Sequence, residues 1–342
     1  MKLSKDRTYF IAELSANHNG SLQTALETID AIKESGADAV KVQTFTPDSM
    51  TLNLEDPLFM AGEKTIWKGQ KLYDLYRKAA LPFEWHYDLQ KRCNELGLDF
   101  FSSPFSKKDV DFLEDLNVPA YKIASLEIAD IPLIKYVASK QKPIIISTGI
   151  AKLSDIELAI ETCYNEGNNN VILLKCTTAY PAPFEEINLN VIPNLKETFN
   201  LEIVGLSDHT MGSTVPLGAV ALGARVVEKH FILDRKMGGV DSTFSMEPEE
   251  FKNMITSVRN LELALGSVNY KLTDKAEDSR KRGRSLFIVE NLKKGDILTE
   301  DNIKSLRPGV GLHPKYLLKV LGKKVNKDIN KGTPFSLFDI EN

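Results

Sequence analysis

Imidazole, ammonium and carboxylate side chains recur in this sequence where short apolar runs end. His209 follows EIVGLSD (202–208), and His230 lies in VVEKHF (226–231) on the same strand face as Glu228. Two neutral imidazoles with a carboxylate and ligand oxygens suit Mn²⁺, Co²⁺ or Zn²⁺. Neighbouring strands lie roughly 5 Å apart, so both rings can reach one ion. A lone histidine of this kind reads instead as a general base or a satisfied core residue. The sequence has no HExxH and no dense Cys/His cluster, so the metal reading rests on spacing.

Lys41, Lys122 and Lys175 interrupt β-like apolar runs. A charge inside such a run is costly unless it lines a polar site. In a chain of net charge −4, three converging lysines form a receptor for phosphate or carboxylate. The competing reading is that they snorkel outward or pair with Glu13, Asp208 or Glu228, and at least one is expected to be structural. Ser103, Ser125, Thr148 and Thr178 add hydroxyl donors. His18 is read as shaping the site near Glu13, His86 as a surface or lid residue, His313 as structural, and Cys176 as a buried inert thiol.

Eight elements must position these groups. The apolar runs are YFIAEL (9–14), AVKVQTF (39–45), DFFSSP (99–104), AYKIAS (120–125), KPIIIST (142–148), VILLKCT (171–177), EIVGLSD (202–208) and VVEKHF (226–231). Helical patterns separate them. Leu22, Ala25, Leu26, Ile29 and Ile32 share one face before Gly36, and Ser106, Ser154 and Ser213 read as N-caps. Strands alternating with helices predict a parallel sheet, and eight units fit a closed (β/α)₈ (TIM) barrel. An open doubly wound sheet is the alternative, but ELSANHNG after the first run lacks GxGxxG. In such a barrel the site lies at the C-terminal strand ends, where polar residues gather in nearly every run. Residues 46–81, with Trp67, Tyr73 and Tyr76, form one long connection, readable as a functional rim loop or a packed surface loop.

The bulk properties set the rest. With 342 residues, 42 % apolar and 26 % charged, the chain can bury a large core. The predicted organisation is a catalytic barrel over 1–269, a charged linker over 270–284 and a small β-rich domain over 285–342. The acidic balance advertises no nucleic-acid surface. Three cysteines without CxxC argue against disulfides or a zinc knuckle. MKLSKDRTYFIAEL has no signal-peptide h-region, and no apolar run reaches the ~20 residues of a membrane helix, so a cytoplasmic protein is expected.

IAELSANHNG, KVQTFTP, FFSSPF, YKIAS, STGI, LLKCTTAYP, GLSDHT and EKHF occur in the order found in the sialic acid synthases, which the chain resembles over nearly its whole length. RSLF, KKGD, EDNIK and LRPG resemble that family's C-terminal antifreeze-like (SAF) domain. WKGQKLYDLYRKAALPFEWH and RPGVGLHPKY look more like the pseudaminic acid synthases than the N-acetylneuraminate synthases. The departures at Thr178, where the latter tend to have Asn, and Lys175, where they tend to have His, point the same way.

The resemblance implies a bacterial enzyme that condenses phosphoenolpyruvate with an acetamido sugar. It implies a divalent metal, Mn²⁺ first with Mg²⁺ or Co²⁺ as alternatives, on His209 and His230. Glu13, Lys41 and Asp208 are then the catalytic candidates. Gln43, Ser103, Lys122, Ser125, Thr178, Tyr180 and Ser207 match substrate-binding positions. Arg307 matches an arginine that the small domain sends into the partner subunit's site, which implies a domain-swapped homodimer. The expected sugar is 2,4-diacetamido-2,4,6-trideoxy-L-altrose, with N-acetylneuraminate or legionaminate synthesis as the alternative. A Schiff-base aldolase using a strand-end lysine and a non-catalytic binding protein are the readings from other classes.

Overall fold

Periods of two and 3.6 sort the chain into strands and helices. In the computed structural model, which describes residues 1, 3–62, 65 and 67–341, it divides into two units, Met1–Gly266 and Ser267–Asn342.

The first unit holds eight strands: β1 (Tyr9–Glu13), β2 (Ala39–Thr44), β3 (Asp99–Pro104), β4 (Tyr121–Ile123), β5 (Ile144–Ser147), β6 (Val171–Cys176), β7 (Val204–Asp208) and β8 (Val226–His230). They close in sequence order, with β8 returning parallel to β1 from Tyr9↔Val226 to Glu13↔His230. Each expected run supplies one strand, β3 over its whole length and the other seven trimmed at one or both ends. The helices are α1 (Leu22–Glu34), α2 (Pro47–Met50), α3 (Leu72–Ala79), α4 (Trp85–Leu96), α5 (Lys107–Asp115), α6 (Ile131–Ala138), α7 (Leu153–Asn165), α8 (Val191–Thr198), α9 (Thr214–Ala221) and α10 (Pro248–Leu265). This is the TIM barrel the alternation predicts.

Local signals explain the helix starts. Ser21 caps α1, its side chain accepting the Thr24 N–H at 3.2 Å. Ala25, Ile29 and Ile32 are then buried, with Leu22 and Leu26 packed beside them. Each fully buried isoleucine contributes roughly 2 kcal/mol. Ser106 caps α5 by accepting the Asp109 N–H at 3.3 Å. Ser154 does not cap α7: Lys152 holds that position, and Asp155 accepts its N–H at 2.8 Å. Ser213 precedes α9 without a side-chain cap bond.

Strand alternation separates two compartments. On β2, Lys41 and Gln43 face a cavity at the barrel mouth, whereas Val40 and Val42 join a core cluster with Ala25, Leu89 and Val227. His86 belongs to that outer layer and is no lid residue. It is fully buried, lies 2.8 Å from Thr44 Oγ1 and packs against Phe100 and Phe112, because α4 hides the face carrying His86, Leu89 and Cys93. Burial holds its pKa down at about 4.

The second unit contains α11 (Asp274–Arg280), the antiparallel pair β9 (Ser285–Ile288) and β10 (Ile303–Leu306), and α12 (Leu317–Val320). Leu286, Ile288, Leu298, Ile303, Val320 and Phe335 form its core. The segment read as a linker carries α11: Thr273 accepts the Ala276 N–H at 3.2 Å, with acids in the first turn and Arg280 in the last. Its charge pattern is that of a solvated helix. Among the described residues, no helix is long and apolar enough to cross a membrane.

Candidate active site

Glu13 stands in register with Lys41 on β2 and with His230 on β8, so three chemical groups sit level on adjacent strands. Lys41 Nζ lies 2.5 Å from Glu13 Oε2 and 3.6 Å from Glu228 Oε1, and donates to Ser103 Oγ at 3.4 Å. Lys122 Nζ donates to Ser147 Oγ at 2.7 Å and to the Ile123 carbonyl at 2.9 Å. Ser207 Oγ donates to Glu228 Oε1 at 3.2 Å. All these side chains are buried. Lys41, Lys122, Ser147, Ser207 and Glu228 floor a cavity of about 320 Å³ that also meets Gln43, Ser125, Tyr180, His209 and His230, while Glu13 and Ser103 contact Lys41 without lining it.

Burial and charge push the two carboxylates apart. Burial raises Glu13 to about 7, against the pull of Lys41 and with the help of Glu228. Burial also pushes Glu228 up, but Lys122 and Lys41 together prevail and hold it below the usual carboxylate range. One group is thus poised to exchange a proton while the other stays ionised, the pattern that separates acid/base roles in one site. Burial holds Lys122 below an ordinary lysine, whereas Glu13 and Glu228 overcome burial and raise Lys41.

The two histidines meet as the strand order demands. Their ring centroids are 5.3 Å apart at 58°. His209 Nδ1 lies 3.0 Å from the Thr177 carbonyl, which assigns the proton to Nδ1 and leaves Nε2 free. His230 Nδ1 is buried with no hydrogen-bond partner among the described residues, 3.9 Å from Asp241 Oδ2. Burial, then the neighbouring His209, hold His230 well below an ordinary histidine, in the neutral form a metal requires. Ser15 Oγ donates to Asp241 at 2.5 Å. Tyr180 packs 4.5 Å from His209, 5.0 Å from Phe244 and 5.9 Å from Trp67, and Phe244 lies 4.9 Å from His230. Among the described residues, no three His, Cys, Asp or Glu side chains gather as a ready cage. The two imidazoles are the side chains that would hold a divalent cation here.

A model of the NeuB family matches residues 28–270, and a SAF domain model matches residues 283–341. The chain belongs to the NeuB family, the sialic acid synthases. It is similar to pseudaminic acid synthase of Helicobacter pylori, 48% identical over 333 residues and covering 97% of each chain. It is also 48% identical over 328 residues to pseudaminic acid synthase of Campylobacter jejuni serotype O:23/36, covering 95% of this chain and 94% of that one. The structure of N-acetylneuraminic acid synthetase from Leptospira borgpetersenii superposes with a TM-score of 0.72 at 29% identity, covering 82% of this chain and 92% of that one.

In this NeuB chain most residues singled out from the sequence meet at the cavity, but not all. Gln43 donates to Ser15 Oγ at 3.2 Å, and Ser125 Oγ accepts the Gly149 N–H at 3.0 Å. Thr178 Oγ1 is buried without a hydrogen-bond partner among the described residues, over Gly149, where an added Cβ would lie 2.0 Å from it. Asp208 is a correction. Its strand parity turns it away from the cavity, where it accepts from Lys229 Nζ at 2.6 Å and from Thr210 N and Oγ1 at 3.0 Å each. Lys175 is likewise turned out, donating to the Cys176 carbonyl at 2.5 Å and to Thr177 Oγ1 at 3.1 Å. Arg307 is an exposed residue of the second unit, just after β10.

Sequence reasoning gave no part in the chemistry to Glu228, Ser147, Cys176, Glu127 and Asp241, all of which line the cavity. The first three were within reach of strand parity, since Glu228 shares a face with His230, Ser147 ends β5, and Cys176 must face opposite to Lys175. Glu127 sits in a 3₁₀ turn after β4 and Asp241 in the connection after β8, where no periodicity speaks. His18 ties the first rim loop to the end of α3, its Nε2 3.3 Å from the Ala79 carbonyl. The long connection after β2 lines the cavity with Met50, Ala61, Trp67, Leu72, Leu75 and Tyr76.

Proposed function

We propose that this chain condenses phosphoenolpyruvate with 2,4-diacetamido-2,4,6-trideoxy-L-altrose, giving pseudaminic acid and phosphate. That it is a condensing synthase of the sialic-acid type follows from its family; the sugar is the further step. The observation that carries the reading is one buried strand-end cluster in which two ammonium groups, Lys41 and Lys122, and Glu228 line the cavity with two imidazoles, and Glu13 stands against Lys41. The likeness to pseudaminic acid synthases over nearly the whole chain supports the choice of sugar.

Lys41 and Lys122, with Ser147 and Ser207, receive the phosphate and carboxylate of phosphoenolpyruvate. C3 of phosphoenolpyruvate attacks the aldehyde carbon of the open-chain sugar. Water adds to the cation left at C2, and phosphate departs by C–O cleavage. Glu13, near neutrality, takes or returns the proton of that water or of a sugar hydroxyl, while ionised Glu228 stabilises the developing cation. A divalent cation, Mn²⁺ first with Mg²⁺ or Co²⁺ as alternatives, would be held by His209 and His230 and would polarise the aldehyde. The reading includes a cytoplasmic bacterial enzyme and a swapped homodimer in which Arg307 reaches the site of the other subunit.

The test is phosphate release from phosphoenolpyruvate with a panel of 6-deoxy and 6-hydroxy acetamido sugars, with and without Mn²⁺. Release with the altrose, lost on chelation, is expected. Efficient turnover of N-acetylmannosamine would overturn the choice of sugar. For the homodimer, mixed His209→Ala and Arg307→Ala subunits are expected to recover activity that neither variant has alone.

A further inference from the structure

The cavity lining is of two chemical kinds. Its floor is the charged and hydroxyl set at the strand termini, which fixes the reacting end of both substrates. Beyond the end of β2 the wall is built from Phe45, Met50, Leu72, Leu75, Tyr76 and Phe105. Phe45 is the centre of an aromatic row, 6.0 Å from Tyr76 and 5.3 Å from Phe105. Phe45 and Leu75 are buried and fix the wall, whereas Met50, Leu72 and Phe105 are half-buried and free to meet a ligand. Met50 ends α2 and Leu72 begins α3, so both belong to the rim connection rather than to the barrel. Among the six, the Tyr76 hydroxyl is the one strong hydrogen-bonding side-chain group.

We propose that this wall receives the non-reacting half of the sugar, with the C6 methyl and the 4-acetamido methyl against it, and that Met50 and Leu72 are specificity-determining residues for a 6-deoxy substrate. The inference rests on the synthase activity proposed above and names the part of the site that selects the sugar. A methyl on this wall is removed from water at no polar cost. A hydroxymethyl at the same place carries an O–H that Met50, Leu72 and Phe105 cannot satisfy, which leaves the Tyr76 hydroxyl as its one side-chain partner among the six. An apolar pocket rejects an added hydroxyl only modestly, by about tenfold to a hundredfold, so the preference is one of degree.

The experiment compares the 6-deoxy sugar with its 6-hydroxy counterpart of identical configuration, in the wild type, Leu72→Asn and Met50→Gln, at saturating phosphoenolpyruvate and Mn²⁺. Phosphate release gives kcat/KM for each sugar, and calorimetry with the two reduced alditols gives binding without turnover. The wild type is expected to favour the 6-deoxy sugar by about tenfold to a hundredfold. Both variants are expected to shrink that ratio several-fold, in turnover and in alditol affinity, with the KM for phosphoenolpyruvate unchanged. An unchanged ratio in both variants, or an altered phosphoenolpyruvate KM with the sugar ratio intact, would overturn the assignment of the wall. No phosphate release with either sugar would instead defeat the synthase reading beneath it. Turnover of both without preference defeats the wall alone.

Discussion

Lys41 reaches Glu13 across adjacent barrel strands at 2.5 Å, with both side chains almost sealed from solvent at 4% and 1% exposure. The lysine is what makes an ionised carboxyl tolerable there. Lys41→Met is therefore expected to destabilise the fold by roughly 3–5 kcal/mol when Glu13 is charged, since it leaves a buried carboxylate uncompensated. The loss should be larger at pH 8 than at pH 6, because Glu13 already titrates at about 7 and protonates more readily without its partner. Glu13→Gln added to Lys41→Met should recover part of the loss. Urea unfolding at the two pH values checks both statements.

Glu127 gives the pH dependence a second, separable source. Burial pushes its carboxyl from 4.5 up to about 7, against the pull of Lys122, and its Oε2 has no hydrogen-bond partner among the described residues. A carboxyl raised in the folded state favours folding fully below pH 4.5, and that contribution disappears as pH rises through about 7. Relative to Glu127→Gln, the wild type should lose up to about 3 kcal/mol between pH 5 and pH 8, less where solvent screens the group. Parallel stability curves for the two proteins across that range would refute this.

Gly149 lies where three site residues converge. A Cβ there would stand 2.0 Å from Thr178 Oγ1, 2.8 Å from Ser125 Oγ and 3.2 Å from Cys176 Sγ. Gly149→Ala must displace at least the first two, at an overpacking cost of about 1–3 kcal/mol. A shift of this size beside bound substrate is expected to lower kcat/KM by about a hundredfold while the circular dichroism spectrum stays native. A variant with wild-type kcat/KM would show that neither hydroxyl matters to the reaction.

Asp208 and Lys229 form a sealed ion pair at 2.6 Å, each side chain 1% exposed. Asp208→Asn should act on stability, costing roughly 3–5 kcal/mol through the lysine left behind. Asp208→Leu combined with Lys229→Met should be more stable than either single variant, as a buried pair replaced by apolar groups often is. Thermal unfolding of the three variants measures this. A folded Asp208→Asn protein with wild-type stability and no activity would return Asp208 to a chemical role.

Much of the barrel was legible because eight apolar runs of strand length alternate with amphipathic stretches, and Leu22–Ile32 shows the helical period plainly. The floor was legible where a polar residue stood inside such a run, as Lys41, Lys122 and His230 do. What failed did so for two reasons. Asp208 was placed by resemblance rather than by parity, and parity sends it away from the cavity, whereas Lys175 is the structural lysine expected among the three. Glu127 and Asp241 lie outside the strands, in turns whose direction is set by tertiary packing. His86 misled because an imidazole on a polar-looking helix does not reveal that Thr44 awaits it on β2. Ser154 failed as a cap because Asp155, one residue on, competes for the same turn.

Lys229 and His230 are chain neighbours that serve opposite sides of β8: one neutralises Asp208 in the outer layer, the other faces the cavity. Loss or gain of a single residue inside this strand would exchange those assignments, driving an ammonium into the mouth and an imidazole into the helical jacket. Ordinary replacements change one side at a time, but a frame shift of the pleat damages both. A change of length is therefore tolerable only in the connections, and the stretch between β2 and α4 is where an insertion can reshape the mouth without moving the histidines.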